Sequence, residues 1–471
     1  MTTVVHPIRT THRWLALTVL ALAQFLVVLD ASIVNIALPA LGEQLGLGTA
    51  SLAWVITAYV LPFGSLLLLG GRLSDRFGHR RLFLIGTAGF VVASVLAGLS
   101  LSGGMLLGAR ALQGASAALL APAALALLTQ LFPAPQDRAR ALGVWGGVAG
   151  IGSVAGVLLG GVLTATWGWQ WVFFVNVPVG VIVLAAVPVL ISRDAASVRV
   201  PLDIRGAVTI TGALVAVVAA LSAVERTGFG PLPLALAIGA LLLGAAFIAI
   251  ERRTPHPLVP AAVFANRNLA VGNIVVLLVG GAVVALFFAL SVYLQAVLGY
   301  DALQAGLSQL PLAGILVVTA GLVPLSITRL GTRPTLIGAL LVLAAGIAWL
   351  AFAPADASFA AHLLGPTLLI GMGIGGALVT ATQLAVDGVD GGESGLAGGL
   401  VNTSQQIGGA LGLTLLAALA SARTSAVAER APSSGAALTA GFSWLFLGAA
   451  AFCLAAAAAV LLAGSARVKT A

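Results

Sequence analysis

Asp30 is the one carboxylate well inside an apolar run of this sequence, sixteen residues past Trp14 and nine before Pro39. In a helix that places it ~24 Å from one end of the run and ~14 Å from Pro39. A charge at mid-membrane costs about 2.5–3.5 kcal/mol even on lenient insertion scales, so it needs a partner or a task. The chemistry such a group offers is proton exchange. Desolvation favours the neutral acid, a nearby cation favours the charged form, and a carrier needs both. Arg110 is the candidate cation, six residues beyond Gly104 and so ~9 Å into its own helix. The two depths differ by about one helical turn, which a long arginine side chain can bridge. A fixed ion pair that only joins two helices is the alternative reading.

Other chemistry is thin. Cys453 is the lone cysteine, and His6, His12, His79, His256 and His362 all lie outside the apolar cores. The runs therefore hold no histidine pair, cysteine nucleophile or paired carboxylates, which argues against a metal centre and against an enzyme. Gly371–Gly376 fits a dinucleotide-binding pattern on paper, but inside an apolar helix with no preceding strand. No cofactor is expected. Polar side chains recur along the runs, and hydrogen bonding between helices is their commoner use. Gln24, Asn35, Trp54, Tyr59, Gln113, Gln295 and Gln309 are the candidates for substrate contact.

The elements that position these residues are membrane spans. The 471 residues are 60% hydrophobic and 8% charged, against about 25% charged in soluble chains. Runs of about 20 apolar residues mark transmembrane helices. Fourteen are expected, near 14–39, 50–71, 81–101, 104–131, 137–164, 169–192, 204–224, 231–251, 268–297, 302–328, 333–353, 359–385, 395–420 and 439–463. Of 22 Lys and Arg residues, eighteen fall on one side of this arrangement and three on the other, with Arg110 inside a span. Loops rich in Lys and Arg stay in the cytoplasm, so both termini are expected there. Topology alone then accounts for the net charge of +8, and nucleic acid is not needed to explain it. One lysine against 21 arginines points to a GC-rich bacterial genome.

A repeat runs through the chain. Arg76, Gly78 and Arg80 fall on Arg329, Gly331 and Arg333 at an offset of 253, and Gly143, Ile151, Gly152 and Gly156 fall on Gly399, Ile407, Gly408 and Gly412 at 256. Similar offsets in separate segments indicate a duplicated unit. Eight spans per offset gives six helices, two extra, and six again. Two six-helix halves related by an axis along the membrane normal are a known transporter plan, with substrate bound between them. The expected organisation is a cytoplasmic N-terminus over 1–13, a six-helix bundle over 14–192, a linker with two extra helices over 193–267, a second bundle over 268–463 and a cytoplasmic tail over 464–471.

Gly71-Arg72-Leu73-Ser74-Asp75-Arg76-Phe77-Gly78-His79-Arg80-Arg81 resembles the loop 2–3 signature of the major facilitator superfamily. Leu29 to Pro39 is similar to the span 1 signature of that superfamily's fourteen-helix drug:proton antiporter-2 family, and Arg110-Ala111-Leu112-Gln113-Gly114 to its span 4 signature. Trp169-Gln170-Trp171 with Phe173, Asn176, Pro178 and Gly180 resembles the entry to span 6, and Tyr293 to Pro311 the junction of spans 9 and 10. The resemblance covers nearly the whole chain.

It implies an all-α fold of 6 + 2 + 6 helices and export of lipophilic drugs or antibiotic-like compounds, driven by the proton gradient and functional as a monomer in the cell membrane. It implies proton coupling through Asp30 and Arg110, and a conformational switch at Gly71, Asp75, Arg76, Gly78 and Arg80. Gly152, Gly156, Gly160 and Gly161 form a small-residue face for close helix packing. Here the chain departs from its relatives, with Val157 where the signature has proline after glycine. An ion-coupled symporter or an uncoupled facilitator of the same fold is the alternative.

Overall fold

The computed structural model describes residues 13–192, 203–227, 230–255, 257–259, 266–386 and 394–463. The expected N-terminal segment (all but residue 13) and the tail lie outside them, as do Arg193, Arg199 and the side chain of Glu225. Among the described residues the regular structure is helical: α1 (Arg13–Leu45), α2 (Thr49–Phe77), α3 (His79–Gly98), α4 (Gly103–Leu131), α5 (Pro135–Trp167), α6 (Trp171–Phe174), α7 (Asn176–Leu190), α8 (Ile204–Thr227), α9 (Pro231–Arg253), α10 (Arg267–Val292), α11 (Ala302–Leu330), α12 (Thr332–Leu350), α13 (Leu364–Val386), α14 (Ser394–Val427) and α15 (Ser434–Leu462). π-Helical turns over Tyr293–Val297 and Phe359–Leu363 extend α10 and precede α13.

Among the described residues thirteen helices are long and apolar enough to cross a membrane, α6 and α7 counting as one. The expected span missing from that count is α5, a helix of 33 residues whose sequence carries no charge from Ala141 to Trp167. Several boundaries differ from the sequence reading. α1 continues through Pro39 to Leu45, and α2 carries the charged Asp75-Arg76 pair on its last turn. Apolar runs mark where lipid contact stops, whereas a helix continues until its backbone bonds are broken or capped. The sixth span is broken into α6 and α7 at Val175.

The chain forms two compact units, one of Met1–Gly212, Leu243–Leu258 and Asp301–Leu307, the other of Ala213–Leu242, Val259–Tyr300 and Ser308–Ala471. In the first, α1 packs on α4, α5 and α7, and α3 on α4 and α7. In the second, α10 packs on α13, α14 and α15, and α12 on α13 and α15. In these pairings α10, α12, α13, α14 and α15 take the places of α1, α3, α4, α5 and α7.

The glycines repeat in register. A Cβ on Gly114 would strike the Tyr59 carbonyl, and one on Gly371 the Leu312 carbonyl. Gly152 and Gly156 of α5 meet the Phe25 and Leu29 carbonyls of α1; Gly408 and Gly412 of α14 meet Leu277 and Gly281 of α10. Gly78, at φ 96°, is the whole connection between α2 and α3, and Gly331, at φ 86°, is the whole connection between α11 and α12. Both conformations are ones that a side chain disfavours.

Candidate functional site

Asp30 lies midway along α1 and is fully buried. Arg110 of α4 is 1% exposed and its Nη1 lies 2.5 Å from Asp30 Oδ2. The other carboxylate oxygen takes two amide donors, Gln113 Nε2 at 3.1 Å and Asn176 Nδ2 at 2.9 Å. Arg110 also donates to Gln113 Oε1 at 2.9 Å and, through Nε, to the Val55 carbonyl at 3.1 Å. Its guanidinium lies over the Tyr59 ring, 4.3 Å from the centroid, with the Phe173 ring at 5.9 Å. Gln113 Nε2 donates in addition to Ser94 Oγ at 2.9 Å. Five helices, α1 to α4 and α7, thus converge on one carboxylate, and every side chain of the cluster is almost wholly withdrawn from the surface.

Burying two charges is expensive, and their attraction offsets that cost only with close geometry and saturated hydrogen bonds. This site meets both conditions for Asp30. It also leaves Arg110 with the Val55 carbonyl, the Gln113 oxygen and a ring face. A cation–π contact to a desolvated guanidinium is worth about 2 kcal/mol. Arg110 therefore keeps partners when the carboxylate is neutralised, so the arrangement can pass a proton through Asp30 without stranding a bare cation.

The glycines of α5 serve this site from behind. A Cβ on Gly156 would stand 2.6 Å from Ser32 Cβ and 3.0 Å from the Leu29 carbonyl oxygen, in the turn of α1 that carries Asp30. Gly160 meets Ile33 one turn further on, whereas Gly161 faces away, toward Ala302. Val157, the departure from the family pattern, is buried with Ile36 and Ala302 in a small apolar cluster. α5 runs past it as a continuous helix.

The expected switch residues divide. Gly78 makes the turn. Gly71 has room beside it, and the close approach falls instead on Gly70, against the Ala118 carbonyl. Asp75 is exposed and its basic neighbour within 4 Å is not an arginine: His79 Nε2 lies 3.9 Å from Asp75 Oδ1, while His79 Nδ1 shares a hydrogen bond with Ser74 Oγ at 2.6 Å. Arg72 donates to the Pro257 carbonyl at 3.1 Å, Arg80 to the Pro188 carbonyl at 3.2 Å, and Arg76 lies over the Phe77 ring.

Of the substrate-contact candidates, Gln113 and Tyr59 belong to the Asp30 cluster. In Gln113 both amide hydrogens are engaged there, by Asp30 and Ser94, and the oxygen accepts from Arg110. Gln24 and Trp54 are half-buried. Asn35 donates to the Ala31 carbonyl of its own helix, Gln295 to Ser291, and Gln309 is buried on α11. Asp301 is an exposed cap on α11, exchanging bonds with Gln304.

Sequence reasoning passed over Asn176 and Ser94 as site residues. Asn176 was visible in the span 6 motif, and its polarity within an apolar stretch was the available signal. Ser94 carried none.

A family model described as Major Facilitator Superfamily matches residues 20–413. The puromycin resistance protein of Streptomyces alboniger is 43% identical over 419 residues, 88% of this chain and 83% of that protein. The cephamycin export protein of Amycolatopsis lactamdurans is 39% identical over 415 residues, 87% of this chain and 85% of its own. Among solved structures, a bacterial homologue of the human lysosomal transporter Spinster superposes with a TM-score of 0.70 at 16% identity, over 97% of each chain. At that identity the likeness concerns the fold alone.

Proposed function

Since the chain belongs to the Major Facilitator Superfamily, we propose that it is a proton-coupled exporter of lipophilic, antibiotic-like compounds, of the fourteen-helix drug:proton antiporter-2 type. It works by alternating access, as a monomer, in the lipid of a bacterial cytoplasmic membrane with both termini inside. It performs no catalysis and uses no cofactor, because the proton gradient supplies the energy. The observation that carries this reading is the buried cluster in which Asp30 holds Arg110, Gln113 and Asn176 at once. Among the described residues Asp30 is the only acid buried inside an apolar span. A proton entering from outside neutralises Asp30, weakens its hold on α4 and α7, and is released inward on the return. One buried acid suits neutral or monovalent substrates better than dications. The names of the relatives supply the chemical class to try first, puromycin and a cephamycin.

The experiment is uptake of puromycin and of a cephamycin into inverted vesicles carrying the protein, with and without an imposed pH gradient. The parent is expected to accumulate substrate only with the gradient, and Asp30→Asn to insert normally and accumulate none. Uptake indifferent to the gradient would make the protein a facilitator. Coupled movement in the inward direction would make it a symporter, the reading that Val157 favours by leaving α5 unbroken.

A further inference from the structure

Asn176 is fully buried and donates through Nδ2 to Asp30, yet its own Oδ1 is buried with no hydrogen-bond partner among the described residues. An unpaired buried acceptor costs about 1–3 kcal/mol, so in a site this closely bonded it needs a reason. The chemistry of Asp30 supplies one. A carboxylate only accepts, but a carboxylic acid has an O–H that must find an acceptor. Oδ2 already lies 2.5 Å from the Arg110 guanidinium, so the proton goes to Oδ1, which faces the amides of Gln113 and Asn176. Gln113 is held at both ends, by Arg110 on Oε1 and by Ser94 on Nε2. Asn176 is not. Half a turn of its amide gives up a single bond and puts Oδ1 where Nδ2 was, with no change of shape.

We infer that Asn176 is the positioning residue for the transported proton: its amide donates to Asp30 when the carboxylate is charged, and turns to accept from Oδ1 when the acid forms. The inference rests on the proton-carrier reading of Asp30. Only an O–H bond forms and breaks, with water as source and sink of the proton. The charged or titratable groups facing Asp30 are Arg110 from α4 and Tyr59 from α2. The other neighbours are neutral: Ser94 of α3, Gly152 and Gly156 of α5, and Phe173 of α6. Asn176 opens α7 just past Val175, and Phe173 of α6 lies over Arg110. One break in the sixth span therefore touches both members of the ion pair.

The test is infrared difference spectroscopy of the purified full-length protein against pH, with the Asp30 acid band identified by its loss in Asp30→Asn. In the parent, the acid band is expected to rise together with a shift of one asparagine side-chain amide band, absent from Asn176→Thr. In Asn176→Leu the midpoint of the acid band is expected to rise by about half a pH unit or more, because the bond lost to the carboxylate is about twice as strong as that lost to the acid. Asn176→Thr, whose hydroxyl turns either way, is expected to bring the midpoint back toward the parent's. A parent spectrum with the acid band and no asparagine change overturns the inference without any variant having to fold; so does an unchanged midpoint in folded Asn176→Leu. No substrate is needed, so the two readings fail separately. Substrate-driven proton release that survives Asp30→Asn defeats the carrier reading, and with it the link of Asn176 to transport, while the asparagine band still decides whether the amide turns; the absence of an Asp30 acid band at any pH defeats both.

Discussion

Gly156 packs directly against Ser32, with room for no Cβ between α5 and the turn of α1 that carries Asp30. The apposition involves backbone on both sides, so an added methyl cannot be absorbed by a flexible side chain. Gly156→Ala is expected to destabilise the folded protein by about 1–3 kcal/mol through overpacking and to disturb export. Gly143→Ala, in open space on the same helix, is expected to leave both unchanged. Melting in detergent checks the pair, and equal melting temperatures for the two variants would disprove the close contact.

Arg110 and Asp30 should behave as one energetic unit. Arg110→Gln leaves a buried carboxylate with amides alone, and is expected to cost about 3–5 kcal/mol, the usual penalty for removing one partner of a buried pair. Asp30→Asn should cost less, because Arg110 keeps the Val55 carbonyl and the Tyr59 ring. The double variant Asp30→Asn/Arg110→Gln is expected to lose less stability than the two single losses combined. Additive melting shifts would show that the pair is not coupled.

Asp75 is expected to matter for turnover and not for assembly. Its side chain is 53% exposed and its partner His79 is 3.9 Å away, and a surface pair of this kind contributes about 0–1 kcal/mol. Asp75→Asn is expected to reach the membrane at the parent's level, melt like the parent and export several-fold more slowly. Export at the parental rate and matched protein level would remove the switch role.

Gly78 and Gly331 should be equally intolerant of a side chain, because each alone joins two helices at positive φ. Gly78→Ala and Gly331→Ala are each expected to lose about 1–3 kcal/mol. Thermal melting of the two variants side by side checks this, and a large loss in one half only would mean that the two turns are not equivalent.

Much of the fold was legible because lipid imposes a composition on any segment that crosses it, and because the glycine spacings repeat at offsets close to 253 and 256. Asp30 and Arg110 were legible for the same reason, as charges where a charge is costly. Asn176 and Ser94 were not. A neutral polar side chain in a span has several cheap ways to be satisfied, so its presence does not name its partner.

By itself the sequence determined that the chain is a membrane protein, where its apolar spans fall, and which two charges must be accounted for. Each of these follows from local composition or from spacing along the chain. Only the tertiary structure decided that Asp30 meets Arg110, Gln113 and Asn176 together, that Tyr59 lies over the guanidinium, and that α5 presses on the turn behind the carboxylate. The contacts of Asp30 join residues 80 to 146 positions apart in sequence. They depend on the rotation of each helix about its own axis, which the apolar pattern of a membrane span leaves open because lipid and protein neighbours are both apolar. Close glycine contacts and saturated buried hydrogen bonds set that rotation, and they exist only once the helices are packed.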